Sequence, residues 1–318
     1  MKIEVADTFP PELDAVADGA PRATFYHTRA WLESLADAYP RLASRCLIAH
    51  DGAAPVAFLP YFVTRRGPFV SLWSLPFGTY GGPVGQIAAA GDLLRVFRSQ
   101  SERRLVVEAG LVDFHNDIDP TGASVEHAST HVVDLSGGYD TVWRDRFDKS
   151  RRRRARRAQE AGVVVRRAAG DEDVRRFVEV YRTRLAGWDA RSGHPDALFR
   201  ALVARGGNRV RLSVAEHTGE VVGGHVNFYY KDAVIAWYGM ASRRGDELQA
   251  GTLLYAEAMR EACEEGFRTY NLGASLGKAS LVEYKQSLGG VAHQYRIVRR
   301  RSFVGRALGL LRLRRGSP

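Results

Sequence analysis

The chain has 318 residues, 46 Lys and Arg against 36 Asp and Glu, and a net charge of +10, with 45% apolar and 26% charged residues. Those proportions belong to a globular protein long enough for two cores and exclude a disordered or fibrous chain. Two distant cysteines, Cys46 and Cys263, are too few for a disulfide framework or zinc site. With no run of about 18 apolar residues and no apolar signal segment, a cytoplasmic protein without transmembrane segment or metal is expected.

The positive excess is local. Lys149 to Arg157 supplies seven cations, and the chain from Arg296 onward supplies eight arginines, neither with an acid, so the remainder stands near −5. In chain order, FYHTRAWLESLADAYP places Trp31, Leu35 and Ala38 at helical spacing. From Arg45, RCLIAHDGAAPVAFLPYFVTRRGPFVSLWSL reads strand, turn at Gly52, strand, turn at 65–67, strand. In the basic segment KSRRRRARRAQEAG, Phe147, Ala155 and Ala158 fall near one helical face, and Lys149, Arg153 and Arg156 share another. The next helix, DEDVRRFVEVYRTRLAGW, carries Val174, Phe177, Val178, Tyr181 and Leu185 inward, with Asp171 to Asp173 at its positive dipole end.

From Arg211, RLSVAEHTGEVVGGHVNFYYKDAVIAWYGMA repeats the earlier meander at an offset of about 167 residues, with turns at Gly219 and at Lys231–Asp232. A helix, AGTLLYAEAMREACEEG, follows and closes at Gly266; then come a strand RTYNLG, a short helix ASLVEYKQSL and a strand HQYRIVRR. The plan is α+β, duplicated, each copy built on an antiparallel meander within a mixed, largely antiparallel sheet. The tail 302–318 interleaves Phe303, Val304, Leu308, Leu310, Leu311 and Leu313 with arginines, a pattern that suits peripheral contact with an anionic membrane or a helix docked on its own domain.

Two motifs near the end imitate known chemistry. GASLG at Gly273–Gly277 matches a nucleophile elbow, but only Glu283 and His293 follow Ser275 as acid and histidine, and about forty residues cannot hold the missing strands. GASLGKAS imitates a phosphate loop with its glycines one residue too close and Ala279 where Ser or Thr would bind magnesium.

The stretch YNLGASLGKASLVEYKQSLGG, Tyr270 to Gly290, resembles the closing motif of Fem-type (FemABX-like) aminoacyl and peptidyl transferases. The duplicated meander, the helix running to Gly266 and the basic segment from Trp143 agree with it, and the absence of a coiled-coil heptad run resembles the compact subgroup without that arm. The resemblance implies two tandem domains of the GNAT (acyl-CoA N-acyltransferase) fold: residues 1–142, a basic interdomain helix at 143–162, and a second, catalytic domain at 163–301. It also implies amide formation on an amino group of a cell-envelope, peptidoglycan-type precursor, at the cytoplasm or the inner membrane face. No bound cofactor is implied; the co-substrate is aminoacyl-tRNA or acyl-CoA, with tRNA as an implied partner.

By the same resemblance Lys285 is the cation aimed at the carbonyl oxygen on which charge builds, with Tyr284 packed beside it, a type of donor worth roughly 2.7–4 kcal/mol. Tyr238, Asn271 and Ser275 are the expected acceptor-site lining. The resemblance also places the basic segment at the acceptor cleft, with Lys149 and Arg153 toward a phosphate-bearing precursor, and arginine forks suit a pyrophosphate. No general base stands out. The segment SRRGDELQAGT, where a coenzyme A pyrophosphate would rest at a helix start, holds Asp246 and Glu247, whose charge opposes that anion. Acyl-CoA transfer to a polysaccharide or small-molecule amine is the alternative activity. A nucleic-acid-binding protein is the alternative class, and a remainder near −5 gives it no broad basic surface.

Overall fold

The computed structural model describes residues 1–186, 193–275 and 277–307. By packing, the chain forms two units: unit 1 comprises Met1–Ala128 together with the segment from Gln294 onward, and unit 2 comprises Ser129–His293. These limits differ from the expected 1–142, 143–162 and 163–301. The basic helix is a component of unit 2 rather than a separate linker, and the last strand belongs to the first unit.

Unit 1 is built from β1 (Lys2–Ala6), α1 (Leu13–Gly19), α2 (Arg29–Ala38), β2 (Ala43–Asp51), β3 (Ala54–Arg66), β4 (Phe69–Ser74), β5 (Val84–Gly85), α3 (Ile87–Ser101) and β6 (Val106–Asp113). Unit 2 takes β7 (Ser124–Asp134) from Ser129 on. Then come α4 (Gly138–Thr141), α5 (Lys149–Glu160), β8 (Val164–Arg167), α6 (Asp171–Ala186), α7 (Asp196–Gly206), β9 (Val210–His217), β10 (Glu220–Tyr230), β11 (Ala233–Ala241), α8 (Arg243–Glu247), α9 (Ala250–Glu264), β12 (Thr269–Ala274) and α10 (Ala279–Ser287). The final strand, β13 (Val291–Arg301), enters unit 1 from Gln294.

The two sheets share one plan. In unit 1 the order is β1-β2-β3-β4-β6-β13, antiparallel except for the parallel β4–β6 pair, with β5 added to β3. In unit 2 it is β8-β9-β10-β11-β12-β7, antiparallel except for the parallel β11–β12 pair. The duplicated meander is therefore real: β2-β3-β4 and β9-β10-β11 are the two copies, each followed by a long helix and a parallel strand. Each copy takes its last strand from the other half of the sequence. β7 follows the first copy but completes the second by pairing with β12, and β13 follows the second but completes the first by pairing with β6. Local strand patterning is the same either way, so no sequence signal reveals this exchange.

The predicted faces pack as their periodicity requires. Trp31, Leu35 and Ala38 are buried on α2, and Val174, Phe177, Val178, Tyr181 and Leu185 are buried on α6. Ala155 and Ala158 on α5, with Phe147 just before it, join the core that α9 forms over the unit 2 sheet. Small alanines let the arginine-rich helix approach closely while its charges stay outside. Asp173 at the start of α6 does more than complement the dipole: it accepts from the Ala169 amide at 2.7 Å and pairs with Arg166, which lowers its pKa to about 2. Thr218 and Gly219, with φ of +51° and +82°, form the two-residue turn that joins β9 to β10, a left-handed pair that glycine makes inexpensive. Among the described residues, no helix is long and apolar enough to cross a membrane. Residues 308–318, most of the expected amphipathic tail, lie outside the described residues; Phe303 within it is exposed.

Candidate active site

In unit 2, β11 and β12 pair only from Ala233 to Ile235 against Thr269 to Asn271. Beyond that register β11 runs on to Ala241, and a bulge shifts its pairing with β10 between Val226 and Asn227. β12 instead turns toward α10, and its own pairing with β7 slips between Asn271 and Ala274. A parallel pair that stops short leaves backbone carbonyls at its open end without ladder partners.

Lys285 satisfies two of them. Its ammonium donates to the carbonyl oxygens of Gly273 and Ala274, each at 2.7 Å. Gly273 has φ of +76°, which turns its carbonyl out of the strand direction. The lysine is 6% exposed, and burial without a carboxylate partner pulls its pKa down to about 8. An ammonium carries three donors, so one remains for a ligand atom.

Around this lysine the structure gathers some of the expected residues and sets others apart. Tyr284, its neighbour on α10, lies under the Arg151 guanidinium at 4.3 Å and against the Tyr255 ring at 6.0 Å. The Asn271 side-chain oxygen accepts from Thr130 at 2.6 Å and from the Gly273 amide at 2.9 Å, which holds the turn that presents the Gly273 carbonyl. The Ser275 hydroxyl is buried with no hydrogen-bond partner among the described residues. Tyr238 packs in an aromatic cluster with Tyr181, Phe199 and Trp237. Lys149 and Arg153 are exposed on α5 and make no ion pair among the described residues.

Three residues have roles that the sequence did not suggest. Arg151, in the middle of the basic run, donates to Ser287 at 2.6 Å and covers Tyr284, so one arginine of the run braces α10. His131 on β7 is 1% exposed, and among the described residues neither ring nitrogen has a hydrogen-bond partner. Burial, and then the charge of Lys285, lower its pKa, so its imidazole is neutral at pH 7. His225 on β10 is equally buried and has no hydrogen-bond partner among the described residues, packs 4.5 Å from the Tyr255 ring, and has its pKa pulled down to about 3 by burial. Only the strand exchange brings His131 near Lys285; the alternation of HVNFYY reveals a strand but not the environment of His225.

In the segment expected to face a coenzyme A pyrophosphate, Ser242 caps α8 by accepting from the Gly245 amide at 3.0 Å, and α9 begins at Ala250. The two carboxylates are both engaged: Asp246 pairs with Arg184, and Glu247 with Arg244 at 3.2 Å. Their repulsion of an anion, a coenzyme A pyrophosphate included, is thereby reduced.

A family model described as an acetyltransferase (GNAT) domain matches residues 145–286. Unit 2 thus contains a GNAT acyltransferase domain. The match takes in α5, the second meander, α9, β12 and all but the last residue of α10, and so includes Lys285. No curated protein matches the chain by sequence. Among solved structures, FemX is similar in fold at 11% identity and a TM-score of 0.69, over 92% of this chain and 96% of that one. L-PGS from Bacillus licheniformis gives 13% and 0.62 over 97% and 96%, and a tandem GNAT protein from the clavulanic acid biosynthesis pathway gives 15% and 0.56 over 94% and 98%. These identities speak for the fold alone, a tandem GNAT fold over 92–97% of this chain. The GNAT domain makes the chain an acyltransferase, and its Fem-type resemblance holds in architecture.

Proposed function

We propose that the chain transfers an acyl or aminoacyl group from a carrier ester or thioester to an amine on a phosphate-bearing cell-envelope precursor. The observation that carries the chemistry is the buried Lys285 ammonium, fixed by two carbonyls at the open end of β11 and β12. As the amine attacks, the carbonyl carbon becomes tetrahedral and its oxygen takes the negative charge. The third N–H of Lys285 meets that oxygen, and a fixed donor of this kind contributes roughly 2.7–4 kcal/mol. The C–O or C–S bond to the carrier then breaks, and the leaving alkoxide or thiolate takes up the proton that the amine gave to the base. The proton shed by the amine passes to a neutral base, the role we give to His131.

The acceptor class rests on different support. Lys149 and Arg153 present cations on α5 that form no ion pair among the described residues, and the solved structures of similar fold include FemX and L-PGS, together with a domain described as that of a putative lysylphosphatidylglycerol synthetase. A second reading, acyl-CoA transfer to a polysaccharide or small-molecule amine, is favoured by the GNAT domain match and by the paired state of Asp246 and Glu247. Incubation of the protein with charged tRNA, acetyl-CoA and candidate precursors, followed by mass spectrometry, separates the two. Transfer to an envelope precursor supports the first; transfer only from acetyl-CoA to a simple amine overturns it in favour of the second.

A further inference from the structure

Unit 1 has a groove of about 540 Å³ under the C-terminal end of α3, remote in sequence from every residue of the candidate active site. Arg45, Arg65, Arg103 and Arg104 line it, and Tyr61 and Leu72, at 2% and 4% exposure, form its apolar floor. No carboxylate is among the lining residues. Asp7, itself 74% exposed, pairs with Arg45 at 3.2 Å; Arg65, Arg103 and Arg104 form no ion pair among the described residues. The Tyr61 hydroxyl donates to Gln100 at 2.6 Å, and the charges of Arg45 and Arg103 both reach it.

The second copy contains a tyrosine–arginine contact of the same kind, under its own long helix, that the protein neutralises. In unit 2, Tyr229 likewise donates to the long helix, but to a carboxylate, Glu261, at 3.0 Å. Arg211 lies 3.8 Å over the Tyr229 ring and is held by Glu261 at 2.9 Å and by both oxygens of Glu265 at 2.6 Å, leaving it 6% exposed. One arginine there meets two acids. In unit 1 the corresponding helix offers the neutral Gln100, and four arginines surround the groove. Like charges held around one concavity repel each other, a cost that a bound anion removes. Guanidinium forks are the side chains best matched to phosphate oxygens.

We propose that this groove is a second ligand site, for a phosphate or diphosphate group carried on an apolar or ring-bearing body that rests on Tyr61 and Leu72. It stands on unit 1 alone and does not depend on the role given to Lys285. The test is titration calorimetry of the full chain with inorganic pyrophosphate, alongside sedimentation with phosphatidylglycerol and with phosphatidylcholine vesicles. The double variant R103E/R104E, and separately Arg45→Ala, are compared with R200E/R205E, an equal charge reversal on α7, with circular dichroism to confirm folding. Pyrophosphate binding that falls at least about tenfold in R103E/R104E and in Arg45→Ala, but not in R200E/R205E, supports the site and a soluble phosphate ester as its source. The same pattern with phosphatidylglycerol vesicles only supports the site with a lipid headgroup as its source. Absence of binding to either probe, or equal losses in both charge reversals, overturns it.

Discussion

The Lys285 ammonium lies 2.7 Å from the carbonyl oxygen of Gly273, a glycine whose φ of +76° points that oxygen at it. The contact fixes the lysine without neutralising it, because a carbonyl dipole orients an ammonium but brings no countercharge. Lys285→Ala is expected to fold and to lose about 10²-fold or more in turnover, with little change in donor affinity. Single-turnover assays and circular dichroism check both halves; wild-type turnover would remove the lysine from the mechanism.

The same burial sets a pH limit. With a pKa of about 8, Lys285 is an ammonium at neutral pH and loses its proton as pH rises through 8, where an ordinary lysine would hold it past 10. Turnover is expected to fall above about pH 8, and also to fall in acid as His131 protonates below the usual histidine range. Lys285→Arg, charged throughout, should abolish the alkaline limb in whatever activity it retains. An unchanged alkaline limb in that variant would assign it to another group.

Gly273→Ala separates backbone from space. A built Cβ would come no nearer than 3.4 Å to the Ala236 carbonyl, so nothing blocks it, but the left-handed φ costs a non-glycine residue about 1 kcal/mol. A small loss of stability in denaturant titration, with a larger loss of turnover as the carbonyl leaves Lys285, is the expected outcome.

His225 makes unit 2 sensitive to acid. Its folded pKa, near 3, lies below the ordinary 6.5, so the unfolded chain binds the extra proton as pH falls between them. Stability is whole above about pH 6.5 and declines below it, by up to about 1.4 kcal/mol per pH unit from this residue. His225→Phe should flatten that slope in urea titrations at pH 7, 6 and 5.

The exchanged strand β13 is tied into unit 1 by Arg296, which donates to Asp113 at 2.6 Å and to the Ile118 carbonyl at 2.9 Å. Asp113 is 2% exposed, and removing its cation leaves a buried charge. Arg296→Ala should destabilise the protein by about 3 kcal/mol or more, seen as an earlier transition for unit 1 in hydrogen exchange. Charge reversal at the exposed Arg153 should leave stability unchanged and weaken binding of the phosphate-bearing acceptor; unchanged acceptor affinity would count against its assignment.

What the sequence by itself determined was what repeats or alternates: both meanders with their turns at Gly52 and Gly219, the buried faces of α2 and α6, the extent of α9 to its close at Gly266, the packing of Ala155 and Ala158, and the motif that holds Lys285. These follow from side-chain period and turn chemistry, which act over a few residues. Only the tertiary structure decided that β7 and β13 complete the units they do not adjoin in sequence, that Asn271 holds a turn, that Arg151 covers Tyr284 while Lys149 and Arg153 stay free, and that His131 is neutral beside Lys285. A strand's hydrogen-bonding edge accepts any neighbour of suitable register, and a side chain's charge state depends on what burial removes from around it. Both are set by residues more than a hundred positions away, where no local pattern reaches.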